Sequence, residues 1–84
     1  MTIYVTVKLY GRYRDTAHSE TITLHLEKGK SIKDVIEAFI EQYPEFSKDT
    51  RGMMVSKNGV LTGHDTPFTT ADQIAIAPPV VSGG

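Results

Sequence analysis

The sequence contains no cysteine, no long apolar run and no excess of either charge. Without cysteine there is no disulfide scaffold, no thiolate zinc site and no cysteine nucleophile. A formal net charge of −1 with interspersed signs provides no basic stripe to neutralise phosphates. We therefore expect no nucleic-acid partner.

The N-terminal residues carry no basic stretch followed by an apolar segment, as an export signal would. No span is long and apolar enough to predict a membrane helix. We therefore expect a cytoplasmic protein with no membrane partner. The 84 residues suit one domain, whose core would supply only about 3–5 kcal/mol of net stability.

Two alternating segments near the N-terminus predict a pair of strands. Residues 3–9 place an apolar side chain at every second position, and residues 22–26 repeat that pattern. Gly11 ends the first alternation, and the polar residues 12–20 predict a connecting loop. The two strands should pair as a hairpin.

A helix is predicted from Ser31, because Ser-x-x-Asp places a hydroxyl and the Asp34 carboxylate at the helix start. Apolar residues then recur at spacings of three and four, which predicts a single buried stripe. Pro44 should end the helix. The stripe consists of Ile32, Val35, Ile36, Phe39, Ile40 and Tyr43.

The second half of the chain predicts three more strands. Residues 53–55 and 60–61 flank Asn58-Gly59, a pair that favours the positive φ angles of a tight hairpin turn. Residues 45–52 predict a loop with one short turn, and residues 73–77 a final strand. The order strand, strand, helix, strand, strand, strand indicates an α+β fold with a mixed sheet of four to five strands on one main helix. A ubiquitin-like β-grasp is its simplest arrangement.

Beyond the last strand, the chain runs through two prolines to two glycines. The prolines would stiffen the root of this segment, and the glycines would let the backbone pass a narrow channel. Five extended residues span up to roughly 17 Å. We predict a domain over residues 1–79 and a flexible tail over residues 80–84, which delivers the Gly84 carboxylate into a partner's pocket. The partner-binding residues would be Pro78, Pro79, Val80, Val81, Ser82 and Gly83.

Residues 9–15 read Leu-Tyr-Gly-Arg-Tyr-Arg-Asp, and residues 65–84 combine Asp-Thr-Pro-Phe, the final strand and the Pro-Pro-Val-Val-Ser-Gly-Gly end. With the order of elements, these stretches resemble the MoaD and ThiS type of ubiquitin-like sulfur carriers. The resemblance is strongest to the small, sulfur-carrying subunit of molybdopterin synthase, and it extends over nearly the whole chain.

This resemblance implies that a ubiquitin-activating-enzyme-like adenylyltransferase adenylates Gly84 with ATP. A sulfurtransferase would then supply sulfur for a thiocarboxylate. The tail would insert into the large subunit of molybdopterin synthase and donate sulfur to a pterin precursor in molybdenum cofactor biosynthesis. The chain would be a non-catalytic subunit with no permanently bound cofactor, since the activating enzyme uses the ATP.

The sequence departs from the family pattern at two places. Thr70-Ala71-Asp72-Gln73 replaces the usual Asp-Gly-Asp-Glu, so the turn there has to avoid the positive φ that glycine accepts easily. Ala77 stands where the family often has a bulky residue, which would reduce apolar area on a docking surface.

Three alternative functions remain open at this stage. The chain could be a ubiquitin-like modifier whose Gly84 forms isopeptide bonds with lysines of other proteins. It could carry sulfur for thiamin synthesis or for transfer-RNA thiolation. A plain binding module with a disordered tail is the third alternative.

Other side chains give weaker signals. His18, His25 and His64 have no carboxylate or second histidine at ligand spacing, so we expect no metal site. Arg12 and Arg14 could contact an acidic partner, but a solvated loop is the expected setting for both.

Three tyrosines of the N-terminal segment, at positions 4, 10 and 13, allow two interpretations. They could form part of a partner-binding face, or they could shield the exposed face of the sheet.

Overall fold

A computed structural model of the chain describes residues 2–27 and 31–79. Its α-helices are α1 (Gly11–Ala17) and α2 (Ile32–Gln42), and a 3₁₀ helix covers Pro44–Asp49. The five strands are β1 (Ile3–Leu9), β2 (Thr21–Leu26), β3 (Met54–Lys57), β4 (Val60–Thr62) and β5 (Ile74–Ala77).

The strands form one mixed sheet in the order β2-β1-β5-β3-β4. β1 pairs antiparallel with β2 and parallel with β5, while β3 pairs antiparallel with both β4 and β5. The last of the described strands therefore lies at the centre of the sheet. This is the predicted β-grasp arrangement, and both predicted hairpin pairings are confirmed.

Helix α2 begins as the sequence predicts. The backbone N–H of Ser31 donates to Oδ2 of Asp34 at 3.1 Å, as part of a capping box that satisfies N–H groups lacking a helical partner. The helix ends at Gln42, and Pro44 begins the following 3₁₀ helix. The predicted loop over residues 45–52 thus contains one short helical segment.

The inner face of the sheet packs against the apolar stripe of α2. Alternate residues of β1 and β5 are buried, and four of the six stripe residues of α2 are buried with them. Ile40 and Tyr43 lie at the edge of this core. The buried core comprises Val5, Val7, Leu9, Tyr13, Leu24, Leu26, Ile32, Val35, Ile36, Phe39, Phe46, Met53, Val55, Phe68, Ile74 and Ile76.

The prediction of a loop over residues 12–20 is wrong, because residues 11–17 form α1. Tyr13, considered above for an exposed face, is the one buried residue of this helix and is fully inaccessible. Its ring lies 5.1 Å from the Phe39 ring and 4.5 Å from the Phe46 ring, measured between centroids. A helix with one buried side chain shows no apolar periodicity, so tertiary packing decides its conformation.

The hairpin between β3 and β4 turns at Asn58 and Gly59, whose φ angles are 54° and 84°. This confirms the Asn-Gly turn. Asn58 also contacts the segment before β5, since its Nδ2 donates to Asp72 Oδ1 at 2.9 Å and its Oδ1 accepts from the backbone N–H of Gln73 at 2.9 Å. The predicted absence of positive φ in residues 70–73 is confirmed, and the Asp72 carboxylate holds that turn by accepting from the Thr69 N–H.

Within the part of the chain that the structure describes, no helix is long and apolar enough to cross a membrane.

The hydrogen bonds of Asp72 generate a pH-dependent prediction. The Asn58 amide first, and the Thr69 N–H second, hold the pKa of Asp72 below its ordinary value of 3.8. The folded protein therefore binds fewer protons than the unfolded chain, so this stabilisation is present above pH 3.8 and is lost as the pH falls through the lowered pKa.

We expect Asp72→Asn to lower Tm at neutral pH. The difference from the unsubstituted protein should shrink as the pH falls from about 5 to about 2. Asn58→Ala removes the main hydrogen-bond donor to the Asp72 carboxylate, so its Tm should depend less on pH over this range than that of the unsubstituted protein. Thermal unfolding followed by circular dichroism measures both, and a difference that stayed constant over this range would contradict the assignment.

Candidate functional site

The structure describes the root of the predicted tail but not its tip. Pro78 and Pro79 follow β5 directly and are half-buried. The remaining predicted site residues, from Val80 to Gly84, lie outside the described residues. The boundary between domain and tail at residues 79 and 80 thus stays a prediction.

Because β5 is the central strand, the tail root leaves the middle of the sheet. The last register pair joins Ala77 of β5 to Met54 of β3, and the N–H of Tyr10 donates to the Ile76 carbonyl oxygen at 3.2 Å. Neither proline has an N–H with which to extend the ladder. The root is therefore fixed by strands on both sides up to the point where the prolines begin.

Each proline lies against a glycine from a different part of the chain. A Cβ atom built on Gly11 would lie 3.1 Å from Cγ of Pro78, and one built on Gly52 would lie 3.0 Å from Cβ of Pro79. Carbon atoms at these separations are closer than ordinary van der Waals contact. The Pro78 ring therefore occupies the space that a side chain at position 11 would need. The Pro79 ring does the same for position 52.

Asp49 connects the two elements that carry these glycines. Its Oδ2 accepts hydrogen bonds from Nη2 of Arg12 at 2.5 Å and from the Tyr13 hydroxyl at 2.8 Å. Burial first, and then the bond to Asp49, raise the pKa of the Tyr13 hydroxyl above its ordinary value. The phenol therefore stays protonated and donates.

Arg12 is consequently paired within its own chain, although it was considered above as a contact for other proteins. We call the group formed by Gly11, Arg12, Asp49 and Gly52 the proline seat. Its residues were not predicted as a site. The only local signal for this site was a glycine after β1 and another before β3. Glycine is common at strand ends, so this signal does not indicate a site.

The outer face of the sheet, opposite α2, carries exposed apolar side chains. Tyr10 and Leu61 are 43% and 64% exposed, and both line a shallow hollow of about 140 Å³. Ala77 also lines the hollow, so the small residue expected to reduce apolar area leaves a depression there. The outer face consists of Tyr4, Thr6, Lys8, Tyr10, Thr21, Thr23, His25, Met54, Ser56, Leu61, Ala75 and Ala77.

Tyr4 and Tyr10 therefore both lie on this face, near opposite ends of β1, while Tyr13 does not. Tyr4 is 59% exposed and packs edge-on against His25 of β2, with ring centroids 4.6 Å apart. Lys8 lies with its Nζ 5.2 Å from the centroid of the Tyr10 ring. Exposed aromatic and aliphatic side chains grouped on one surface are typical of protein interaction sites.

Residues 2–27 and 31–79 contain no group of three or more histidine, cysteine, aspartate or glutamate side chains that could hold a metal ion. One ring nitrogen of His64, Nε2, is 2.9 Å from the Met53 carbonyl oxygen, so this histidine has a structural contact. The backbone carbonyl oxygen of His64 accepts from the Lys33 N–H near the start of α2.

The family profile that matches this sequence is that of the ThiS family, and it covers residues 7–84. The chain belongs to the ThiS family. The match includes β5, the tail root and both C-terminal glycines. Among curated proteins, none matches this member of the family.

Solved structures share the fold over nearly their full length. Small archaeal modifier protein 1 from Methanosarcina acetivorans is 25% identical, with 100% of this chain and 99% of that chain covered at a TM-score of 0.74. A candidate molybdopterin converting factor subunit 1 from Pyrococcus furiosus is 22% identical, with 93% and 99% covered at a TM-score of 0.75.

A third structure is a complex of subunits 1 and 2 of molybdopterin-converting factor from Helicobacter pylori. It is 21% identical, with 96% of this family member and 100% of the matched chain covered at a TM-score of 0.60. These likenesses confirm the β-grasp fold. The family profile confirms the identification as a ubiquitin-like sulfur carrier of the MoaD and ThiS type.

The bond from Tyr13 to Asp49 can be tested by removing one hydroxyl group. We expect Tyr13→Phe to reduce the free energy of unfolding by about 1 kcal/mol, because the ring still packs while Asp49 loses a donor. Urea denaturation measures this difference. The control is Tyr10→Phe on the exposed outer face, which should change stability by less than about 0.5 kcal/mol. Equal stability of the two variants would contradict the bond.

Proposed function

We propose that this protein carries sulfur as a thiocarboxylate on Gly84 and donates it to a pterin precursor as the small subunit of molybdopterin synthase. The observation that carries the proposal is the ThiS family match, which continues through Gly83 and Gly84. The central position of β5 supports it, because a strand held on both sides gives the following segment a fixed origin.

The chemistry requires a carboxylate on Gly84 and an enzyme that activates it. One carboxylate oxygen attacks the α-phosphorus of ATP and displaces pyrophosphate, forming an acyl-adenylate. A sulfur nucleophile at the oxidation level of sulfide then displaces AMP and leaves a thiocarboxylate. The chain contains no cysteine, so in this proposal the terminal carbonyl group takes the place of a thiol.

The catalytic groups for these steps belong to partners. A ubiquitin-activating-enzyme-like adenylyltransferase binds the ATP, a sulfurtransferase supplies the sulfur, and the large synthase subunit holds the pterin precursor. The likeness to a chain in the Helicobacter pylori complex of subunits 1 and 2 supports a partner subunit. The chain itself is then a sulfur-donating, non-catalytic subunit.

We further propose that these partners dock on the outer face. Tyr10 and Leu61 flank the hollow there, and Ala77 links it directly to Pro78 at the tail root. A partner seated on this face lies beside the segment that it has to receive. Burial of exposed aromatic and aliphatic side chains would supply the affinity.

Protein modification is the second candidate function. The 25% identical structure from Methanosarcina acetivorans is a small archaeal modifier protein, which favours this candidate. The acyl-adenylate is common to both functions, and they differ in the group that attacks afterwards. A lysine amine gives an isopeptide bond, whereas sulfur gives a thiocarboxylate.

Removal of Gly84 tests the activation step. We expect the shortened protein to keep its Tm and to lose ATP–pyrophosphate exchange with the cognate activating enzyme, because the required carboxylate is displaced by one residue. A variant extended by one alanine tests the same point from the other side, because its carboxylate also no longer lies on Gly84, and it should lose the exchange in the same way. Exchange at the unsubstituted rate in either variant would refute the role of Gly84.

Intact mass spectrometry of the protein from its own cells distinguishes the two candidates. Replacement of one oxygen by sulfur at Gly84 is expected for the carrier. Lysine-linked adducts with no sulfur-containing form would instead identify a modifier. The same spectrum shows whether Gly84 is the last residue of the protein in the cell.

Charge placed on the outer face tests the docking proposal. We expect Leu61→Asp to weaken binding of the activating enzyme by about tenfold or more, because an apolar contact is replaced by a desolvated charge. Val60→Asp is a matched control, since Val60 is 68% exposed but pairs with Lys57, on the opposite face. Isothermal titration calorimetry measures both affinities, and equal losses would contradict this docking face.

A further inference from the structure

We infer that Gly52 is a positioning residue whose missing side chain lets Pro79 sit in the proline seat, which fixes the direction in which the tail leaves the domain. This inference rests on the proposed function, because direction matters only if Gly84 has to enter a partner's active site. It assigns a role to the segment between the 3₁₀ helix and β3, which lies outside the tail.

Backbone conformation does not explain the glycine at position 52. The glycines with positive φ among the described residues are Gly11 and Gly59, so the φ angle of Gly52 is open to other amino acids. Gly52 is also exposed. What a side chain would meet is Pro79, whose Cβ and Cγ would lie 3.0 and 3.2 Å from the added Cβ.

Gly63 provides the internal comparison. It is exposed, it is absent from the glycines with positive φ, and an added Cβ would meet nothing within 4 Å. Pro79 therefore lies close to Gly52, whereas an added Cβ at Gly63 would contact nothing.

The second side of the proline seat is formed by Gly11 at the start of α1. An added Cβ would lie 3.1 Å from Cγ and 3.3 Å from Cδ of Pro78. Gly11 also has a φ of 59°, so two constraints act on this position. Consecutive prolines thus contact two glycines that are distant in sequence, which leaves the root little freedom to move toward either one.

The two sides of the seat are held relative to each other by Asp49. Its carbonyl oxygen accepts from the Gly52 N–H at 3.0 Å, which fixes the turn that carries this glycine. Its carboxylate binds Arg12, the neighbour of Gly11, and the buried Tyr13. The seat is therefore connected to the core through the Tyr13 ring.

A rigid root matters because the reactive group is far from it. Five residues reach at most about 17 Å when fully extended, so the position of the root limits where Gly84 can be placed inside a partner. Misplacement of a reacting group by about 1 Å can reduce a rate by about a hundredfold. A side chain that displaces Pro79 should therefore slow activation of Gly84 without touching the reacting atoms.

The test compares Gly52→Ala and Gly52→Val with Gly63→Ala and Gly63→Val. We expect kcat/KM for ATP–pyrophosphate exchange to fall about tenfold or more for Gly52→Val and less for Gly52→Ala. The Gly63 variants should keep the unsubstituted rate. All four should keep their Kd for the activating enzyme, because docking uses the outer face.

Pro79→Gly provides a readout that a general structural defect would not move. With the Pro79 ring absent, an added side chain at position 52 has nothing to displace. We expect Gly52→Ala to cost no further activity in the Pro79→Gly background. If Gly52→Ala instead caused the same fold loss of activity in the Pro79→Gly background as in the unsubstituted protein, the inference would be overturned.

Proton NMR of the isolated protein tests the seat without any partner. Nuclear Overhauser contacts between the Gly52 Hα atoms and the Pro79 ring are expected in the unsubstituted protein. Their absence would overturn the seat directly. Unsubstituted protein that is never adenylated would overturn the proposed function and this role with it, whereas normal exchange by Gly52→Val would overturn the role alone.

Discussion

The pairing of β5 with β1 on one side and β3 on the other is the constraint on which the rest of this molecule depends. The last strand of the described chain is also its most enclosed strand. Ile74 and Ile76 are buried against the core, and the Tyr10 N–H continues the contact between β1 and β5 beyond the end of β1. The tail root therefore begins at a point that the whole sheet determines.

The two faces of β5 separate stability from interaction. Ile74 and Ile76 point inward, while Ala75 and Ala77 border the hollow on the outer face. In the proposed function, a partner on the outer face then meets a tail root whose position is set by the core. In that proposal the catalytic groups belong to partners, and this small domain holds one end of its chain in a defined direction.

Regular elements with local signals were predictable. Alternation over residues 3–9, the Ser31 capping box and the Asn58-Gly59 turn each involve neighbours in sequence, and all are confirmed. Helix α1 lacked such a signal because a single buried tyrosine defines it. The resemblance indicated the family correctly, whereas the choice between sulfur transfer to a pterin and protein modification depends on partners and stays a proposal.

The sequence by itself determined the order of the five strands and of helix α2, the β-grasp fold and the family, because alternation, capping and turn propensities act over a few residues. Only the tertiary structure decided what surrounds the tail root. Arg12 and Asp49 are 37 positions apart, and Gly52 meets Pro79 only after β5 has entered the sheet between β1 and β3. These contacts join residues that are far apart in the sequence, so a pattern of neighbouring residues cannot predict them.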